Sequence, residues 1–172
     1  MTSTRGERVH PNVRRVVDAA ATAGLAIEVV RFPAGTHTAE DAARAVGCSV
    51  AQIVKSLVFM VDGDPVVALL SGADRLDPAR LASAMQAVHV RRADGDEVRA
   101  ATGYAVGGVP PLGHARTLPI LIDERLLAEV EVWAAAGLPD AVFRAAPLAL
   151  ERAAGARRAS LAVDESPRAD RA

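Results

Sequence analysis

Ile53-Val54-Lys55-Ser56-Leu57-Val58-Phe59-Met60-Val61, then Asp62-Gly63-Asp64-Pro65, then Val66-Val67-Ala68-Leu69-Leu70, is the part of the chain from which the architecture can be read. The first and last runs are apolar enough for strands covered on both faces, and the four residues between them have the composition of a tight turn. Together they predict a hairpin. Alternation along the first strand puts Ile53, Leu57, Phe59 and Val61 on the face of Lys55, and Val54, Ser56, Val58 and Met60 on the other. Lys55 therefore stands in an apolar row, where a charge needs a partner, a water-filled cleft or a ligand. It is also the only lysine beside 19 arginines. Arginine would offer a broad, permanently charged fork, whereas lysine offers a compact ammonium whose pKa responds to burial. The structural alternative is a lysine snorkelling from a strand end.

Outward from the hairpin, Ser71-Gly72-Ala73-Asp74 follows the return strand and should lie near Lys55, at the hairpin's open end. Upstream, the spacing predicts a helix over residues 11–23 stopped by Gly24, and a strand over 25–32 ended by Pro33. Gly35-Thr36-His37-Thr38 reads as a loop. A helix over 39–46 follows, with Thr38 as cap, Asp41 in the capping-box position and Gly47 closing it; Ser49 starts one short turn. Downstream come a helix from Asp77 to Gln86, a short strand over 88–91 and a helix over 94–102 stopped by Gly103. A buried strand over 118–122 precedes a helical turn over 124–127. A second hairpin joins 130–135 to 141–145 around Gly137-Leu138-Pro139-Asp140. A helix from Pro147 to Ala154 and a last strand over 159–163 complete the pattern. Residues 11–163 read as one domain, with flexible ends at 1–10 and 164–172.

Residues 104–113 break every period. Gly107-Gly108-Val109-Pro110-Pro111-Leu112-Gly113 packs three glycines and two prolines into seven residues. The prolines fix φ and remove donors, and the glycines allow close approach to bare backbone. Such a stiff loop either serves as a tight crossover or holds a carbonyl or phosphate on its amides.

Composition excludes several classes. A formal charge of −1 excludes a chain that grips nucleic acid along its length, and 3% aromatic residues are too few for a base-stacking platform. Any nucleic acid would be touched locally, at an end or a single nucleotide. The single cysteine, Cys48, excludes an intramolecular disulfide and a cysteine-rich zinc site, and no histidine stands at motif spacing to it, so it reads as a structural thiol. No metal motif or cofactor is implied. No apolar run is long enough for a bilayer, and residues 1–10 lack a signal-peptide stretch, so a cytoplasmic protein is expected.

Three segments in order carry a resemblance: residues 37–57 (His37-Thr38-Ala39-Glu40-Asp41 through Val54-Lys55-Ser56-Leu57), Ser71-Gly72-Ala73-Asp74-Arg75-Leu76-Asp77, and residues 103–113. Together the chain resembles the YbaK/EbsC family, the YbaK/prolyl-tRNA synthetase-associated domain, from about Val13 to Val163. The resemblance implies a compact α/β (α+β) domain with a mixed, barrel-like sheet surrounded by helices. It implies an aminoacyl-tRNA editing hydrolase that deacylates mischarged tRNA in trans at its acceptor end, correcting an aminoacyl-tRNA synthetase. Cys-tRNA(Pro) and Ala-tRNA(Pro) are the family's familiar substrates. The important strand lysine carries over to Lys55, and the pocket-lining loop to Gly107, Gly108, Pro110 and Gly113. The double proline and the following His114 depart from the commoner single-proline loop, which leaves the accepted amino acid open. In the expected chemistry Lys55 holds the terminal adenosine's hydroxyl or phosphate while amides around Gly107 and Gly108 face the ester carbonyl. Water, or the thiol of a cysteinyl substrate, is the nucleophile.

His37 and His114 flank the recognised loops and either line the cleft or sit on the surface. Ser71, Gly72 and Asp74 are expected at the substrate, Asp74 pairing with Lys55 or serving as a turn residue. A Ser-Lys dyad of Ser56 and Lys55 is rejected because adjacent strand residues face opposite ways. Arg14, Arg15, Arg91 and Arg92 read as solvated faces, with phosphate contact the alternative. Two other readings stand beside the hydrolase: a non-catalytic aminoacyl- or nucleotide-binding module associated with a synthetase, and a Schiff-base enzyme using Lys55.

Overall fold

A computed structural model describes residues 8–32 and 38–164. The central hairpin forms as its sequence dictates. Strands β2 (Val54–Val61) and β3 (Asp64–Ser71) pair antiparallel from Val54↔Ser71 to Val61↔Asp64. Asp62 and Gly63 carry φ of 47° and 88°, the paired left-handed conformations of a two-residue turn matched to strand twist. The elements before the hairpin are α1 (Pro11–Thr22), β1 (Val29–Arg31) and α2 (Ala39–Val46). After it come α3 (Pro78–Met85), β4 (Val90–Arg92), α4 (Gly95–Thr102), β5 (Ile120–Asp123), β6 (Val132–Ala135), β7 (Ala141–Ala145), α5 (Pro147–Ala154) and β8 (Arg157–Ala159).

The hairpin is the middle of a five-stranded mixed sheet, ordered β4-β2-β3-β5-β8, in which β3–β5 and β5–β8 are parallel. A three-stranded antiparallel sheet, β1-β7-β6, packs beside it, and a parallel bridge between Ile53 and Trp133 links the two at one point. The mixed α/β arrangement agrees with expectation, but the sheets do not close into a barrel: both strand orders have two ends.

The alternation predicted for the hairpin sorts its two cores. Val54, Val58, Val67 and Leu69 face a cluster containing Val16, Phe143 and Leu150, whereas Phe59, Val61, Val66, Ala68 and Leu70 face one containing Leu81, Leu121 and Leu161. Both faces are covered, so the strands read as nearly continuous apolar runs.

Helix signals were equally legible. Thr38 and Asp41 make the reciprocal capping box of α2, and Gly47 closes it at φ 76°. Two expectations shift. The first strand is Val29–Arg31 rather than 25–32, because the Leu25 amide still bonds back to Ala20 O at the end of α1. The last strand is Arg157–Ala159 rather than 159–163. As an edge strand it exposes its arginines and hides its alternation, while residues 161–164 run on as a strap, with Val163 N bonded to Arg75 O at 2.7 Å. The flexible ends expected at 1–10 and 164–172 lie, apart from residues 8–10 and 164, outside the described residues. Among the described residues, no helix is long and apolar enough to cross a membrane.

Candidate active site

Strand β4 pairs with Phe59–Val61, and the Trp133 bridge lies at the other end of β2, so among the described residues no strand lies beside the intervening edge of β2. The bond from Ala93 N to Val58 O shows that the even-numbered residues aim their main chain at this edge. Ser56 therefore points its peptide groups into the gap. A cleft of about 320 Å³ opens there. Its walls are Ile53 and residues 54–58 of β2, Ala39 and Ala42 of α2 with its cap Thr38, Val106, Gly107 and Val109 of the glycine/proline loop, and Trp133, Ala135, Pro139 and Val142 of the second hairpin; Arg92, Ala93 and Val98 complete it.

Lys55 lines the cleft half-buried, and its Nζ donates to Asp74 O at 2.5 Å. An ammonium has three donors, so two remain for a ligand. Burial is the main influence on its pKa and lowers it; the Asp74 and Glu40 carboxylates oppose this, while Arg92 and Arg75 add to it. The expected proximity of residues 71–74 to Lys55 is thus realised through a main-chain carbonyl. The Asp74 carboxylate turns away, pairing with Arg125 Nη1 at 2.9 Å.

The other expected site residues divide. Ser71 is buried and internal to the turn: its Oγ donates to Ala51 O at 2.8 Å and accepts from Ala73 N. Gly72 lets the turn close, since a Cβ there would stand 2.7 Å from Val50 O. Gly107 lines the cleft at φ 90°, and the nearest atom its Cβ would meet is Pro139 Cγ at 3.9 Å. Gly108 does something different. Its amide is already bonded to Ala105 O, and its Cβ would lie 3.1 Å from Gly137 O and Leu138 Cα. The expectation that the Gly108 amide faces a ligand carbonyl is therefore corrected: this glycine seats the loop on the second hairpin. A Cβ at Gly113 would stand 3.1 Å from Ala19 Cβ on α1, and the Gly113 carbonyl accepts from Tyr104 Oη at 2.8 Å. Pro110 is buried, and its carbonyl accepts from His114 Nε2 at 2.7 Å, which puts the proton on that nitrogen. Burial lowers the His114 pKa, so this neutral ring braces the loop from behind. His37 lies outside the described residues. Cys48 does not line the cleft; it packs behind its wall on the cluster of Ala42, Ala43 and Ile53, with its thiol pKa raised, chiefly by burial.

The chain matches the aminoacyl-tRNA editing domain over residues 33–153. The chain belongs to that family. In a structural comparison this editing domain is similar to a crystal structure of a candidate trans-editing enzyme for prolyl tRNA synthetase, with 46% identity and a TM-score of 0.86 over 91% of this chain and 99% of that one. In sequence it is 37% identical over 103 residues to the proline–tRNA ligase of Acidithiobacillus ferrooxidans, covering 60% of this chain but 18% of the ligase. It is 28% identical over 120 residues to the uncharacterized protein YwhH of Bacillus subtilis, covering 70% and 76% of the two chains. The chain thus spans about a fifth of the ligases it matches.

Sequence reasoning missed the far wall of the editing domain's cleft. Trp133, Pro139 and Val142 arrive from a hairpin with no local signal of a site, and only the pairing of β6 with β7 and the bridge to Ile53 place them there. It also passed over Ser56 once a dyad with Lys55 was rejected. The Ser56 hydroxyl is the one buried side-chain polar atom without a hydrogen-bond partner among the described residues, and it lies on the valine side of the cleft.

Proposed function

We propose that this chain is an aminoacyl-tRNA deacylase that removes a small amino acid from mischarged tRNA in trans to a prolyl-tRNA synthetase, with Ala-tRNA(Pro) and Cys-tRNA(Pro) as the substrates to test first. The observation that carries the reading is the half-buried ammonium of Lys55 in a mainly apolar cleft of an editing domain. Similarity to the candidate trans-editing enzyme over 99% of its length supports action in trans.

An aminoacyl ester is already reactive, so the protein need only hold it and stabilise charge developing on the carbonyl oxygen. The two remaining Lys55 donors hold the ribose hydroxyl or terminal phosphate of the adenosine, and the Gly107 amide serves the oxyanion. Val54, Val58, Val109 and Val142 surround the amino-acid side chain, and Arg92, exposed at the cleft mouth, takes a phosphodiester. Water attacks the carbonyl carbon, the ester C–O bond breaks, and the ribose oxygen leaves with a proton, giving free amino acid and uncharged tRNA. With a cysteinyl ester, the substrate's own thiol can make the attack instead: a C–S bond forms as the ester C–O bond breaks, the ribose oxygen leaves with the thiol proton, and water then opens the cyclic thioester to free cysteine.

Catalytic amounts of protein incubated with Ala-tRNA(Pro) test this reading. Many esters cleaved per protein, above spontaneous hydrolysis, is the expected result. Stoichiometric binding that protects the ester instead would make the chain a binding module.

A further inference from the structure

Lys55 is held by the outer end of a turn, and that turn is held by something else. The carbonyl of Asp74 takes the ammonium, while its carboxylate, in a side chain only 12% exposed, is paired with Arg125. Arg125 is itself fixed on two sides. Its amide donates to Asp123 Oδ1, and the other oxygen of that buried carboxylate accepts the amides of Leu161 and Ala162 in the strap. Its guanidinium also reaches Val163 O at 3.4 Å and stands 3.7 Å from Asp164 Oδ1. The strap bonds to the same turn, Val163 N to Arg75 O.

This arrangement solves a competition. A carboxylate and a carbonyl of one residue both lie within reach of a single ammonium's field, and the carboxylate is the stronger attractor. We propose that Arg125 is a positioning residue for Lys55: by occupying the Asp74 carboxylate it leaves the ammonium on the Asp74 carbonyl, with its other donors available to the cleft. Without Arg125 the nearly buried carboxylate would draw Lys55 to itself. The other charges acting on Lys55 are Glu40 on α2, Arg92 on β4 and Arg75, the next residue of the same turn.

Because Lys55 is the only lysine, protein labelled with [13C]lysine gives one Cε resonance, whose shift follows the protonation of this side chain. The titration needs no substrate, so only the kinetic arm rests on the deacylase reading. Arg125→Gln should move the Lys55 midpoint to higher pH, and kcat on Ala-tRNA(Pro) should fall by about tenfold, the scale expected when a catalytic group is displaced by a fraction of an ångström. Asp74→Asn keeps the carbonyl and removes the charge, so it should move the midpoint down. In the Asp74→Asn background, Arg125→Gln should shift it hardly at all. A midpoint unmoved by Arg125→Gln in folded protein overturns the proposal, as does an equal shift in both backgrounds, which would make Arg125 a distant charge acting directly. Should Arg125→Gln not fold, Asp74→Asn alone decides: an unmoved midpoint overturns the proposal.

Discussion

Two glycine-bearing segments were expected to shape this site, the turn of residues 71–74 and the loop of residues 104–113, and they use their glycines for different ends. The turn closes tightly on its own surroundings, with Gly72 against Val50 O and Gly72 N bonded to Ile53 O, and so delivers a carbonyl to Lys55. The loop spends Gly108 on the second hairpin and Gly113 on α1, and presents only Gly107 to the cleft. A glycine in a sequence announces close approach. Whether the approach is to a ligand or to the protein's own backbone is settled by the fold.

The sharpest way to break the comparison is to remove what the turn holds. Lys55→Ala should lower deacylation by about a hundredfold or more, the scale of a lost charge-stabilising donor, while leaving the fold intact. Lys55→Arg should also be poor, since a planar fork does not replace a compact ammonium. The pH dependence follows from the same residue. Burial lowers its pKa, so the ammonium form is complete below that value and is lost as pH rises through it. The enzyme-dependent rate should fall along that limb below the ordinary lysine range, and the limb should be missing in Lys55→Arg.

Gly72→Ala comes next. Its Cβ would meet a main-chain oxygen at 2.7 Å, so the turn must shift, costing about 1–3 kcal/mol in thermal or denaturant unfolding and displacing the Asp74 carbonyl. Gly108→Ala meets atoms at 3.1 Å and has no positive φ, so about 1 kcal/mol and a several-fold loss of activity are expected, with the loop pushed off the hairpin. A Gly108→Ala protein as active as the parent would mean the loop's seat does not set the cleft.

Val109 and Leu112 separate the loop's two duties. Val109 lines the cleft, whereas Leu112 belongs to the core beneath. Val109→Ala should change the preference between alanyl and larger esters by about 1 kcal/mol, and Leu112→Ala should lower stability with that ratio unchanged. The smallest effect is expected at Arg92. Arg92→Ala should reduce the salt dependence of tRNA binding by about one phosphate contact, a slope change near 0.7. With a formal charge of −1 the chain should bind uncharged tRNA alone only weakly.

What the sequence made legible was local. The Asp62-Gly63 turn, the Thr38/Asp41 box, the helix stops at Gly47 and Gly103, and the oddity of a lone lysine in an apolar strand are each written within a few residues. What stayed hidden depends on pairing at long range. Trp133 and Pro139 reach the cleft because β6 and β7 sit across the open edge of β2, and Arg125 reaches Asp74 from 51 residues away. Neither carries a local pattern. The short edge strands β1 and β8 were misplaced for a related reason: their exposed side chains leave no alternation to read.

The central claim, that the cleft at the open edge of β2 is where a small aminoacyl ester is cleaved, is tested most directly by a deacylation panel of Ala-, Ser-, Cys-, Pro- and Phe-tRNA. Small esters should be hydrolysed with turnover and Phe left near the spontaneous rate, because the valine walls exclude bulk but separate small side chains by only about 1–3 kcal/mol per methylene. Equal rates on Phe and Ala esters, or no hydrolysis of any of the five, would contradict it.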